Sequence, residues 1–194
     1  AYINPLAAQM MLDRYPPAGK TVLLTAAGSD CAVLLGQWAR QAGAEAVYGI
    51  HRSPVHAQRL AELGIVPIAQ QDMAAVNAAA ARADVVYDAT GGRLAETILC
   101  VMPESGTFVC YGLLSGQTFR QQRALPRVAW FHIRNYLDAL SAEAWQAEFQ
   151  RIWPKLRASQ CSDVTLYPLT EWQRALGNYR EAGRTRKPVL SMEN

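Results

Sequence analysis

Short apolar runs that do not alternate with polar residues, each followed by a helical pattern, constrain this sequence most. Thr21-Val22-Leu23-Leu24-Thr25-Ala26, Ala46-Val47-Tyr48-Gly49-Ile50, Ile65-Val66-Pro67-Ile68, Val85-Val86-Tyr87 and Thr107-Phe108-Val109-Cys110-Tyr111 are runs of this kind. A strand with one wet face alternates, whereas a strand that is apolar throughout is covered on both faces, as in a parallel sheet. Helical stretches at 31–41, 54–63, 73–83 and 94–101 lie between them, and Gly43 and Gly64 close the first two; polar or proline starts and glycine stops are ordinary helix punctuation. Strand–helix–strand succession of this kind predicts an α/β fold, a Rossmann-type doubly wound parallel sheet with flanking helices. Pro67 cannot donate to a ladder, so the third run belongs at a sheet edge.

The flanks fall outside this rhythm. Segment 1–20 reads as a linking helix and turn, with Asn4-Pro5 opening an amphipathic helix through Asp13 and Tyr15-Pro16-Pro17-Ala18-Gly19 closing it. Segment 21–140 holds the sheet. Segment 141–194 predicts a helix from Ser141 to Trp153 broken near Pro154, a short run at 165–169, a helix over 171–181 and a last strand at 187–190.

Composition excludes several classes. The chain of 194 residues is 51% hydrophobic and 18% charged, too apolar for intrinsic disorder. A net charge of +3 without a Lys/Arg block gives no footprint for nucleic acid. No apolar run approaches the ~20 residues that cross a bilayer, so no membrane partner is expected. Cys31, Cys100, Cys110 and Cys161 are scattered, which fits a reducing, cytoplasmic setting rather than a disulfide framework. His51, His56 and His132 add no metal-ligand spacing, so no metal is expected. Gly-x-Ser-x-Gly and Tyr-x-x-x-Lys are absent, and Gly19-Lys20-Thr21 precedes the first strand instead of following it.

In an open parallel sheet, ligands bind at the carboxyl ends of the strands where the winding reverses. The first strand leads into Ala27, Gly28, Ser29, Asp30, Cys31 and Ala32, small residues that let a backbone and a helix N-terminus approach a diphosphate. The second strand ends in Ile50-His51-Arg52-Ser53. It lacks the acid that would hold an NAD ribose, and Arg52 can bond a 2′-phosphate bidentately. The expected cofactor is therefore NADPH.

These pieces, with others, resemble the nucleotide-binding domain of the zinc-free medium-chain dehydrogenase/reductase superfamily, in its NADPH:quinone oxidoreductase and 2-enoyl thioester reductase branch. The resemblance runs through Ile3-Asn4-Pro5-Leu6, Gly36-Gln37-Trp38-Ala39-Arg40-Gln41-Ala42-Gly43-Ala44 and His51-Arg52-Ser53-Pro54. It continues through Ala83-Asp84-Val85-Val86-Tyr87-Asp88-Ala89-Thr90-Gly91-Gly92, Gly106-Thr107-Phe108-Val109-Cys110-Tyr111-Gly112-Leu113-Leu114-Ser115-Gly116 and Lys187-Pro188-Val189-Leu190-Ser191-Met192. It implies that Ala27 to Ala32 hold the diphosphate, Arg52 and Ser53 the 2′-phosphate, and Thr90 and Gly91 the nicotinamide ribose. Tyr111, Gly112, Leu113 and Leu114 would line the nicotinamide, with Asn4 and Lys187 approaching the cofactor. It also implies a homodimer edge at 128–134 and a catalytic domain on the N-terminal side. The substrate, an enone, quinone or enoyl thioester, would bind between the domains.

Two departures qualify the resemblance. Ala27, Ser29 and Ala32 stand where the family has fingerprint glycines, and Asp30 puts a carboxylate beside the expected diphosphate. The chain also opens at the linking helix, so it reads as a cofactor-binding fragment, inactive alone, with the catalytic residues elsewhere. The last strand should be partly orphaned. A non-catalytic Rossmann-fold module with a degenerate site is the second reading. A methyltransferase-like nucleoside site is the third, disfavoured by the missing acid.

Overall fold

The computed structural model describes residues 3–137, 140–181 and 183–192; residues 1–2, 138–139, 182 and 193–194, which include parts of the expected segments 1–20, 21–140 and 141–194, lie outside them. A six-stranded parallel sheet runs β3(Val66–Ala69)–β2(Ala46–His51)–β1(Thr21–Leu24)–β4(Val85–Asp88)–β5(Thr107–Cys110)–β6(Arg127–Trp130). The order reverses between β1 and β4, as in the doubly wound dinucleotide-binding fold. β3, with Pro67, is an edge strand as expected, and β6 forms the other edge.

The continuous apolar runs are explained by two cores. Val22, Leu24, Val85, Tyr87 and Val109 face one, built with α1(Ile3–Arg14), α2(Asp30–Gln41) and Leu60 of α3(Ala57–Glu62). Leu23, Val86, Phe108 and Cys110 face the other, built with α4(Met73–Ala80) and α5(Gly92–Val101). Side chains alternate along a strand, so both faces are apolar because both are covered. Ser29, Asp72 and Ser141 cap α2, α4 and α7(Ala142–Arg157), each accepting from the backbone N–H three residues on.

Two expectations are corrected. The first helix is not amphipathic: Pro5 through Leu12 are all buried, because α1 lies between α2 and α7. Gln9 is tolerated there because its amide donates to Asp13 at 2.8 Å and its oxygen accepts from Lys155 at 2.6 Å. The helix beginning after Ser141 does not break at Pro154 but continues to Arg157. Pro154 and Gln150 both sit on the exposed side, where water can take the carbonyl that proline cannot serve.

Beyond α7, β7(Asp163–Pro168), α8(Trp172–Arg180) and β8(Arg186–Ser191) form a separate parallel strand pair with its crossover helix. β8 is paired along one edge only, with β7.

Candidate functional site

The site begins where β1 stops. Thr25 to Ser29 turn the chain into α2, with Ala27 N donating to Ile50 O at 2.9 Å and Ser29 N to Ala26 O at 2.9 Å. Ala26 adopts φ 46°, a left-handed conformation that costs an L-residue roughly 1 kcal/mol. Gly28 leaves room for a neighbour: a Cβ there would lie 2.5 Å from the His56 ring, which would have to swing aside. The imidazole of His56 therefore lies across the turn.

At the strand reversal, Thr25 Oγ1 donates to Asp88 Oδ1 at 2.6 Å, and the backbone N–H groups of Thr90 and Gly91 donate to the same carboxylate at 3.1 and 2.9 Å. Thr25 Oγ1 in turn accepts from Ala89 N at 2.9 Å and lies 3.1 Å from Thr90 Oγ1. Asp88 is fully buried. Burial raises its carboxyl above the ordinary range, although these donors pull the other way. A carboxylate thus fixes the loop after β4 without facing the cleft.

Two clefts open over these strand ends. One, of about 420 Å³, lies between Asn4, Cys31, Tyr111, Phe131 and the Arg184–Lys187 segment. The other, of about 410 Å³, is walled by His51, Arg52, Ser53, His56, Gln70, Thr90 and Arg184. Gly28, Ser29, Leu114 and Arg184 border both, so the turn at the head of α2 is the waist of one bipartite groove. Glu181 also borders the second cleft, where its carboxylate accepts from Asn178 Nδ2 at 3.0 Å.

Asp30 is the first residue of α2. Its Oδ1 accepts from Ser162 Oγ at 2.6 Å and its Oδ2 from Lys187 Nζ at 2.9 Å. Ser162 Oγ also receives Arg59 Nη1 at 3.1 Å. Burial pushes the Asp30 carboxyl up, but the Ser162 hydroxyl and the Lys187 ammonium outweigh it and leave the group below its ordinary value. Beside it Cys31 is inert: burial, then the Asp30 charge, raises its thiol to about 12.

The expected site residues divide accordingly. Gly28, Ser29, Asp30, Cys31, Tyr111, Gly112, Leu114, Asn4 and Lys187 border the first cleft, and Arg52, Ser53 and Thr90 the second. Ala27 and Ala32 are fully buried and border neither, serving the turn from behind. Gly91 and Leu113 likewise border neither and pack on each other, a Cβ on Gly91 lying 2.5 Å from Leu113 Cδ2. Sequence reasoning missed His56, Arg59, Ser162 and Arg184. The basic residues after β2 were a usable signal for the first two, but Ser162 and Arg184 arrive only through the fold.

The groove offers what a dinucleotide needs. It has a helix N-terminus at its waist, basic side chains at one end, and the buried hydroxyl of Tyr111 at the other. Tyr111 Oη is buried, near Ser29 and Cys31, with no hydrogen bond of good geometry among the described residues. No cluster of three or more His, Cys, Asp or Glu suited to a metal ion occurs among the described residues, and no helix among them is long and apolar enough to cross a membrane.

The fold is a Rossmann-type doubly wound parallel sheet with a groove over its strand reversal. The chain matches no protein-family profile and no curated protein, but it matches solved structures of reductases. A protein from Bacillus thuringiensis assigned as an NADPH:quinone reductase is 23% identical, with TM-score 0.86 over 98% of this chain and 62% of that one. A 2-haloacrylate reductase is 20% identical, with TM-score 0.80 over 99% and 64%. A mutant form of enoyl thioester reductase from Candida tropicalis is 17% identical, with TM-score 0.76 over 97% and 59%. The resemblance read from the sequence therefore holds for the fold, and the chain spans less than two thirds of these structures' length.

Proposed function

We propose that this chain is the cofactor-binding part of an NADPH-dependent oxidoreductase that reduces an activated C=C bond, as in an enoyl thioester or enone, or a quinone. The observation that carries the reading is the groove across the strand reversal, with the head of α2 at its waist and Arg52, Ser53 and Arg184 lining the cleft beyond β2. The nicotinamide, when bound, supplies the hydride. The chain's own residues bind and orient. The N–H groups at the head of α2 face the diphosphate, while Arg52 and Ser53 take the 2′-phosphate. Tyr111, Gly112 and Leu114 wall the nicotinamide end, and Phe131 keeps it dry. Proton donation and substrate recognition belong to a catalytic domain on the N-terminal side, and a homodimer would form through the β6 edge. Asp30 at the head of α2 favours a second reading, a Rossmann-fold binding module whose nucleotide site has decayed.

Titrating the chain with NADPH, NADH and S-adenosylmethionine, followed by thermal shift, separates these readings. NADPH should stabilise most. No response to any of the three would leave the module reading, and a preference for S-adenosylmethionine would overturn both.

A further inference from the structure

Two cationic groups near the head of α2, Lys187 and Arg59, are committed to an anion that belongs to the protein. Lys187 Nζ sits on Asp30 Oδ2 at 2.9 Å, and Arg59 reaches Asp30 Oδ1 through Ser162. Arg59 Nη2 is buried without a hydrogen-bond partner among the described residues, so this cluster holds a donor that its carboxylate does not satisfy. Helix N-termini attract anions through unpaired N–H groups and the dipole. Asp30, in the first turn of α2, meets that demand from within.

We propose that Asp30 is an internal competitor for the diphosphate: its carboxylate holds Lys187 at the head of α2, and a bound diphosphate draws Lys187 away from it. This deepens the cofactor reading and rests on it. It explains how a carboxylate can stand in a diphosphate turn without disordering it, because the charge is matched in the free protein. It also gives the exchange a direction. On binding, Lys187 trades one anion for another, and Asp30 keeps the Ser162 hydroxyl with Arg59 behind it. The ion pair is half-buried, with side chains 33% and 27% exposed, so the trade carries a real electrostatic cost.

The test is calorimetric titration of the chain and of Asp30→Asn with NADPH, inorganic pyrophosphate and adenosine 2′-monophosphate, with a thermal melt to check folding. Asp30→Asn should bind NADPH and pyrophosphate on the order of tenfold more tightly. Adenosine 2′-monophosphate, which reaches only the Arg52 end, should bind both chains alike. Unchanged or weaker NADPH and pyrophosphate binding by the folded variant overturns the proposal and leaves the cofactor reading standing. Failure of every ligand to bind either chain overturns both. Should Asp30→Asn not fold, a crystal structure of the unaltered chain with pyrophosphate decides. Lys187 Nζ on a phosphate oxygen supports the exchange, and Lys187 still on Asp30 overturns it.

Discussion

The hydroxyl of Thr25 donates to the carboxylate of Asp88 across 2.6 Å, joining the carboxyl ends of β1 and β4 where the sheet reverses direction. Asp88 in turn holds the N–H groups of Thr90 and Gly91. Asp88→Ala leaves these donors buried and unpaired and should cost about 2–4 kcal/mol of stability. Thr25→Ser, which keeps the hydroxyl, should cost less than about 1 kcal/mol. Urea unfolding of the two variants checks the pair, and equal losses would mean that the hydrogen bond is immaterial.

Gly91 takes φ 67°, and a Cβ there would meet Leu113 Cδ2 at 2.5 Å and the Gln117 carbonyl at 2.7 Å. The second of these is backbone and cannot swing aside. Gly91→Ala should destabilise by roughly 1–3 kcal/mol. Gly19→Ala, at φ 67° with open space around it, should cost only the conformational part, about 1 kcal/mol. The difference between their denaturant midpoints measures the steric share.

The parallel α/β sheet, its two-sided burial, the edge position of Pro67 and the position of the turn were legible in the sequence, because runs such as Val22-Leu23-Leu24 carry both faces of the sheet in consecutive residues. The groove was legible only on its own side. Arg52 and Ser53 follow β2 directly and could be read from the strand end, whereas Arg184 and Ser162 reach the site from beyond α7. The setting of Asp30 was hidden for the same reason. Nothing around the turn shows that Lys187, 157 residues away, matches its charge at 2.9 Å. The first helix misled because Gln9 and Asp13 suggest a wet face, and their partners Lys155 and Arg151 lie on α7.

Arg52 is exposed in the part of the groove beyond β2. Arg52→Ala should weaken NADPH binding on the order of tenfold to a hundredfold while leaving NADH nearly unchanged, since a charge-assisted hydrogen bond contributes about 1.5–3 kcal/mol. Fluorescence titration with both dinucleotides reads the ratio directly. Equal losses for both would place Arg52 away from the 2′-phosphate.

His56 lies across Gly28, facing His51 and Arg52 from the end of β2, Arg59 from α3, and Arg184 and Glu181 from the C-terminal segment. Burial first, then electrostatic repulsion from the side of His51 and Arg59, lowers its pKa below the usual 6.5. The folded state therefore binds this proton less well than the unfolded chain. Stability should be full above about pH 6.5 and fall as pH drops toward the lowered folded value. His56→Gln should flatten that stretch of the stability–pH curve, measured by urea midpoints. A curve unchanged by the substitution would remove His56 as its source.

Tyr111 Oη is buried without a hydrogen bond of good geometry. Tyr111→Phe removes a buried hydroxyl that makes no well-aligned hydrogen bond and should stabilise the free chain by up to about 1 kcal/mol, a rise of roughly 2–4 °C in Tm. The same change should reduce the stabilisation that NADPH adds. A fall in the Tm of the free chain would show that the hydroxyl is already satisfied.

Arg184 and Lys187 enter the groove from the β7–α8–β8 unit, whose strands join no other sheet. Trimming the chain before residue 184, or nicking it with a protease near Gly183, would leave the six central strands intact while stripping basic side chains from the binding face. Such a product could pass every test of correct folding and still be blind to nucleotide, so an affinity tag or fusion partner is safer away from that end.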